Sequence, residues 1–230
     1  MSVAAIIVAG GSGSRFGGDK PKQFQMLGGR AVLAHTLEAF NRADIIDEIT
    51  VAAPADYVAH TWGIVTRYGF GKVRDVVPGG VGRAMSVYKV LKLLPTTTEI
   101  VLVHDGVRPF VSEALIKSVA HSARLHGAGV AGVALTDTIK EVSGHGQVVE
   151  TPDRRRYWRV QTPQGFTYDV IKRAYAQGEK DGILESVTDD STLVERMGQR
   201  VQMVEGHSGN IKITTMEDLL LSEIILRSQS

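Results

Sequence analysis

The sequence predicts an α/β protein built on a Rossmann-like, doubly wound and largely parallel sheet from which a β-hairpin arm projects. Three observations carry this reading. Short β-branched runs alternate with longer segments of helical period. The first of those runs empties into a glycine-rich turn, at the carboxyl end of a strand where a doubly wound sheet collects ligands. One later stretch breaks the alternation with two short β-prone runs around Ser143, Gly144, His145 and Gly146.

In chain order, residues 3–9 form the first expected strand. A helix over 31–42 places Val32, Leu33, Leu37 and Phe40 on one face, and strands follow at 49–53 and 73–77. A second helix over 84–94 repeats the pattern with Val87, Val90, Leu91 and Leu94. Strands at 100–103 and 129–135 flank a helix that Ser112 can cap, with Leu115, Ile116 and Val119 following at helical spacing. The hairpin pairs 139–142 with 148–151 and leads into Arg154, Arg155, Arg156, Tyr157, Trp158 and Arg159. A strand is expected at 201–204, and Asn210, Ile211, Lys212, Ile213 and Thr214 read as an apolar strand with one cation inside. With no internal repeat, Ser/Pro linker or composition shift, the chain reads as one domain over 1–230, the arm being inserted at about 137–157.

Composition narrows the function classes. Hydrophobic residues make up 43% of the chain and charged residues 22%, with 26 Lys+Arg against 25 Asp+Glu. That is the balance of an ordinary soluble globular protein and argues against nucleic-acid binding by bulk charge. There is no cysteine, which excludes a disulfide framework, a Cys-ligated metal centre and a thiol nucleophile, and points to a cytoplasmic home. The N-terminal residues lack the basic region of a secretory signal, and no run approaches the ~20 apolar residues of a membrane-spanning helix.

Glycine is in excess, 25 of 230 residues against a usual ~7%, and the excess falls in loops that could hold an anion. After the first strand come Ala9, Gly10, Gly11, Ser12, Gly13, Ser14 and Arg15, then Pro21, Lys22 and Gln23. Backbone amides freed of Cβ bulk can approach a phosphate there, while Arg15 and Lys22 add formal charge. A dinucleotide fingerprint would need glycine at Phe16, and a P-loop would need Lys-Ser/Thr after Gly18, so neither template fits. A second loop, Gly79, Gly80, Val81, Gly82 and Arg83, enters a helix with Ser86. The strand at 100–103 ends in His104, Asp105, Gly106, Val107, Arg108 and Pro109, where the carboxylate suits a divalent metal. His104, without a second ligand at suitable spacing, reads as a satisfied structural histidine. Lys212 alone reads as a snorkelling edge-strand lysine, and Arg154, Arg155 and Arg156 as a solvated charged face.

Taken together these motifs resemble the 2-C-methyl-D-erythritol 4-phosphate cytidylyltransferases of the non-mevalonate isoprenoid pathway. The resemblance extends through Asp137 and Thr138, Gln161 to Gln164, and Thr188, Asp189 and Asp190 to the Lys212 segment, nearly the whole chain. Gly10 and Gly106 depart from the alanine more usual at those places, but both keep a small residue. The ribitol 5-phosphate cytidylyltransferases are the nearest alternative, using the same chemistry on another polyol phosphate.

The resemblance implies a reaction of CTP with a polyol phosphate that releases pyrophosphate and needs Mg²⁺. Arg15, Lys22, Arg154 and Lys212 are the implied catalytic residues, and Asp105 the implied metal ligand. CTP would be held by Ala9, Gly10, Gly11, Gly13, Arg15 and Lys22, with Gly80, Arg83, Ser86, Asp105, Gly106 and Lys212 completing its site. Asp105, Arg108, Thr138, Arg154, Thr162, Thr188 and Lys212 would hold the polyol phosphate. Thr138 and Arg154 would do so from the arm of a partner subunit, which makes the expected enzyme a cytoplasmic homodimer. Two rival classes are weaker: a nicotinamide-dependent oxidoreductase lacks its third glycine, and an RNA-binding module built on the arginine run has neutral charge and only 6% aromatic residues to support it.

Overall fold

The computed structural model describes residues 2–11 and 20–228. The chain begins with β1 (Val3–Val8), a 3-10 turn (Lys22–Phe24), the short β2 (Met26–Leu27) and β3 (Arg30–Ala31), and α1 (Val32–Arg42). It continues through β4 (Glu48–Ala53), α2 (Val58–Tyr68), β5 (Val73–Pro78), α3 (Gly82–Leu91), β6 (Ile100–Asp105), α4 (Glu113–His126) and β7 (Ala128–Ala134). The remainder comprises β8 (Glu141–Val142), β9 (Val148–Glu150), β10 (Trp158–Thr167), α5 (Tyr168–Lys180), α6 (Asp190–Arg196), β11 (Gln202–Glu205) and α7 (Met216–Ser228).

Seven strands form one sheet in the order β11-β7-β10-β6-β1-β4-β5. Its pairings are parallel except at β10, which runs antiparallel to both β6 and β7. Side chains alternate between the two faces along each strand, as period-two geometry requires. Val3, Ala5 and Ile7 of β1 join α1, α2 and α4 in one core, while Ala4 and Ile6 join α3, α5 and α6 in the other. Of the helical stripes read from the sequence, Leu33, Leu37 and Phe40 face the first core and Val87, Val90 and Leu91 the second, while Val32 is buried in a smaller cluster with Leu27, Val107 and Ile213. Ser112 caps α4, its hydroxyl accepting the Leu115 N–H at 3.2 Å.

The strand order reverses at β1, which has β4 and then β5 on one side and β6 on the other. A doubly wound sheet opens a crevice at such a switch point, beyond the carboxyl ends of its strands. β1 ends there in the Ala9 loop, and β6 ends there in Asp105.

Two elements differ from the sequence reading. β10 was hidden because Pro163 argues against a central strand, since it cannot donate to a ladder. Here the register against β7 shifts between Val160 and Gln164, and the Thr162–Pro163 peptide is cis. The expected strand at 210–214 does not form. Ile213 is buried against Leu27, Val32 and Val107 on irregular backbone, with its N–H donating to the Val107 carbonyl at 2.9 Å. An apolar anchor on a loop leaves the same alternation in the sequence as a strand, so Lys212 is a loop residue and not an edge-strand one. The expected hairpin is present, with β8 pairing antiparallel to β9. No helix among the described residues is long and apolar enough to cross a membrane.

Candidate active site

Two pockets adjoin at the switch point. The smaller, about 360 Å³, is lined by Ala9, Gly10 and Gly11 after β1, by Lys22 and Gln23, and by Gly82 and Ser86 at the start of α3. The larger, about 750 Å³, takes in Arg108, Gln161, Thr162, Gln164 and Thr188. Arg83, Asp105 and Lys212 line both. These three form the junction through which anything bound in one pocket would meet what is bound in the other.

The wall of the smaller pocket is backbone held by side chains. Gln23 is buried, and its Nε2 donates to the carbonyls of Ala9 and Gly11, the latter at 3.3 Å, which fixes the opening of the glycine loop. The Ser86 hydroxyl accepts the Gly80 N–H at 3.0 Å and donates to the Gly82 carbonyl at 2.8 Å, closing the turn into α3. A Cβ at Gly79 would lie 2.9 Å from that hydroxyl, so the glycine lets the turn close on it, and one at Gly10 would lie 3.4 Å from the same oxygen, where the loop after β1 comes up to α3. Gly80 therefore shapes the wall through Ser86. Gly106 lies behind it, where an added Cβ would come within 3.1–3.2 Å of Ala9, Leu33 and the Val8 carbonyl.

At the junction one buried carboxylate meets three cations. Asp105 Oδ1 accepts from Arg83 Nε at 3.0 Å; Oδ2 accepts from Lys212 Nζ at 2.9 Å and lies 3.5 Å from Arg108 Nε. Burial by itself would raise the Asp105 pKa, but Arg83, then Lys212 and Arg108, outweigh it and hold the carboxyl well below the usual carboxylate range. Burial opposes the Arg83 charge, which Asp190 and then Asp105 more than restore, so that guanidinium stays cationic. Arg83 Nη1 reaches Asp190 Oδ2 at 2.7 Å.

Beneath the junction a chain of hydrogen bonds fixes the end of β6. The Asp105 N–H donates to Thr162 Oγ1 at 3.1 Å, and Thr162 lies 2.9 Å from His104 Nδ1, while His104 Nε2 lies 3.1 Å from the Arg108 carbonyl. Burial pushes the His104 pKa down to about 3, so the ring is neutral. A carbonyl can only accept, so Nε2 carries the proton and Nδ1 takes the Thr162 hydroxyl proton. Across the gap, Arg108 Nη1 donates to the Asn210 carbonyl at 2.8 Å and Asn210 Nδ2 to the Thr162 carbonyl at 2.9 Å, which ties the Lys212 loop to β6 and β10.

The structure thus brings together Ala9, Gly10, Gly11, Lys22, Arg83, Ser86, Asp105, Arg108, Thr162, Thr188 and Lys212. Gly13 and Arg15 lie outside the described residues. Thr138 and Arg154 sit on the exposed arm and line neither pocket of their own chain. Gln23 and Asp190 were overlooked as site residues although both fall within motifs read from the sequence. Their partners lie 14 and 107 residues away, a relation no local pattern carries.

One carboxylate kept ionised is a fitting hard-oxygen ligand for Mg²⁺. Among the described residues no cluster of three His, Cys, Asp or Glu could hold a metal, so an ion on Asp105 would complete its shell with substrate phosphate and water. The Lys212 side chain, 39% exposed, can turn from Asp105 toward a phosphate.

Comparison with known proteins agrees with this geometry. The family model for IspD, 2-C-methyl-D-erythritol 4-phosphate cytidylyltransferase, matches residues 3–228. A protein of that name from Syntrophus aciditrophicus is 42% identical over 228 residues, covering 99% of this chain and 97% of its own. Another from Geobacter metallireducens is 40% identical, covering 100% and 99%. The crystal structure of 4-diphosphocytidyl-2C-methyl-D-erythritol synthase from Anaerococcus prevotii superposes with a TM-score of 0.88 at 34% identity, covering 98% of this chain and 96% of its own.

Proposed function

The chain belongs to the 2-C-methyl-D-erythritol 4-phosphate cytidylyltransferase family, and from that premise we propose how its two pockets share the transfer of a cytidylyl group from CTP to 2-C-methyl-D-erythritol 4-phosphate. The observation that carries the assignment is the pair of adjoining pockets with Arg83, Asp105 and Lys212 common to both. CTP occupies the smaller pocket and the polyol phosphate the larger. A ribitol phosphate would need the same junction, but the relatives on both sequence and structure carry the methylerythritol name.

The nucleophile is a phosphate oxygen that is already ionised at neutral pH, so no general base is needed. It attacks the α-phosphorus of CTP, a new P–O–P bond forms, and the bond to the β-phosphate breaks to release pyrophosphate. The obstacle is charge, because an anion must approach a polyanion. Lys22 at the nucleotide pocket, Lys212 at the junction and Arg108 at the polyol pocket supply cations along that line; Arg15, the further cation that the family resemblance implies, lies outside the described residues. Asp105 keeps the cations aligned before substrate arrives, which spares reorganisation during the reaction. Asp105 would also hold Mg²⁺, which when bound neutralises triphosphate charge and polarises the α-phosphate.

The hairpin arm supplies the remaining contacts. Thr138 and Arg154 are exposed and line neither pocket of their own chain, and Val142, Val148, Val149, Tyr157 and Trp158 leave apolar surface exposed on the arm and at its base. In a cytoplasmic homodimer the arm of one subunit places Thr138 and Arg154 on the polyol phosphate bound by the other.

Pyrophosphate release from CTP and Mg²⁺ with 2-C-methyl-D-erythritol 4-phosphate tests the assignment. The parallel reactions use D-ribitol 5-phosphate as acceptor, and ATP or UTP as donor. The expected result is turnover confined to CTP with the methylerythritol substrate. Preference for ribitol phosphate would transfer the same mechanism to the alternative acceptor, and release with neither acceptor would overturn the reading.

A further inference from the structure

We propose that Asp190, seated by Tyr175, is a positioning residue for the transfer: it turns Arg83 so that Asp105 receives a single guanidinium N–H and keeps its second oxygen for the pocket junction. The inference rests on the cytidylyltransfer reading above. Asp190 opens α6 and is fully buried, and neither it nor Tyr175 lines either pocket. Its Oδ1 accepts the Tyr175 hydroxyl, Oδ2 accepts Arg83 Nη1 at 2.7 Å, and its N–H donates to Gln164 Oε1 at 3.0 Å. Tyr175 of α5 thus holds the carboxylate itself, while Gln164 of β10 holds the Asp190 backbone at the start of α6.

A buried ion pair is a poor device for stability alone, since well-packed apolar side chains often serve as well or better. Orientation is the better account here. The guanidinium is a rigid planar fork that prefers to grip a carboxylate with two parallel N–H bonds. With Nη1 drawn to Asp190, the Nε–Nη2 edge that could grip Asp105 with two N–H bonds meets it through Nε alone, on Oδ1, and Nη2 is buried without a hydrogen-bond partner among the described residues. Oδ2 is left to Lys212 and Arg108, the groups that meet the phosphates. Without the Asp190 charge, Arg83 is free to close a two-pronged clamp on Asp105 and take Oδ2 out of the junction. Asp190 touches no substrate and acts through Arg83, which borders both pockets.

The test is steady-state pyrophosphate release by the full chain with CTP and 2-C-methyl-D-erythritol 4-phosphate, with kcat and both KM values measured separately. Asp190→Asn is expected to lower kcat on the order of 10²-fold with both KM values within about threefold. Tyr175→Phe keeps charge and volume and should lower kcat about fivefold by the same route. In an Arg83→Gln background, adding either substitution should change kcat by less than about twofold, because the residue they act through is gone. A kcat within twofold of the parent for both variants, losses that multiply in the Arg83→Gln background, or losses expressed in KM would overturn the proposal. If Asp190→Asn does not fold, Tyr175→Phe and its double variant decide on the same criteria. An inactive parent chain would remove the cytidylyltransfer reading and this one together, whereas an active parent with unaffected variants removes this one alone.

Discussion

At the pocket junction Arg83 joins Asp105 and Asp190 across 22 and 107 residues of sequence, with both carboxylates buried, whereas in the arm Asp153 and Arg155 pair two residues apart in full exposure. Beyond the Leu135 N–H donating to the Tyr157 carbonyl at its base, the arm is held by its own neighbours among the described residues. Its turn closes with Ser143 N–H on the Gln147 carbonyl, and Lys140 reaches Thr151 across the hairpin. Exposed local pairs contribute little, and a two-stranded hairpin is marginal without a surface to lie on. A buried carboxylate facing three cations is different: removing one partner leaves charge sealed from water. The chain therefore builds its charge-handling centre from distant, buried partners and its arm from near, exposed ones; the dimer proposed above would give that arm a surface.

The largest expected effect probes the junction. Asp105→Asn leaves Arg83, Arg108 and Lys212 without the carboxylate they share, and should lower turnover by on the order of 10³-fold. It should also reduce unfolding free energy in urea by about 3–5 kcal/mol. Turnover within tenfold of the parent would place the charge centre elsewhere and dissolve the contrast with the arm.

A smaller but sharper effect addresses the arm. Lys22→Ala and Arg154→Ala should each be nearly inactive alone, with the loss for Lys22→Ala in kcat and not in KM for CTP. Co-refolded in equal amounts, they should recover about a quarter of parental activity, since half of random dimers are mixed and each carries one intact site. Mixtures that stay inactive would put the arm on its own subunit's site or on none.

The effect with the least bearing on turnover lies in the pH dependence of stability. His104, pushed down to about 3 by burial, excludes a proton that the unfolded chain accepts near pH 6.5. Its contribution to stability is complete above that pH and declines by about 1.4 kcal/mol per unit as pH falls toward 3. Asp105, whose carboxyl is held below its usual range, loses its contribution only below about pH 3.9. His104→Gln should therefore flatten the urea midpoint between pH 6.5 and 4 and leave the decline below 4 in place. An unchanged slope in the upper window would show that the ring takes no part in fixing β6.

Much of this was present in local pattern. β1, β4, β5, β6 and β7 follow the β-branched runs, the helix capped by Ser112 follows its spacing, and Asp105 stands at the strand end where a carboxylate was expected. The two misses have separate causes. β10 carries Pro163 and polar Gln161, Thr162 and Gln164 inside the sheet, because those side chains serve the larger pocket and the α6 cap, not the apolar core. The residues around Lys212 imitate a strand because Ile213 needs burial but not ladder partners.

By itself the sequence determined the element types and the chemistry available, since periodicity, caps and glycine loops are written in neighbouring residues and steric freedom is local. Only the tertiary structure decided which carboxylate each cation meets. It seats Gln23 under the glycine loop, turns Arg83 between Asp105 and Asp190, and brings Lys212 from an irregular loop to the end of β6. Those contacts depend on strand order and register. A charge in low dielectric is set by the few groups that folding places within hydrogen-bond reach, however far apart they lie along the chain.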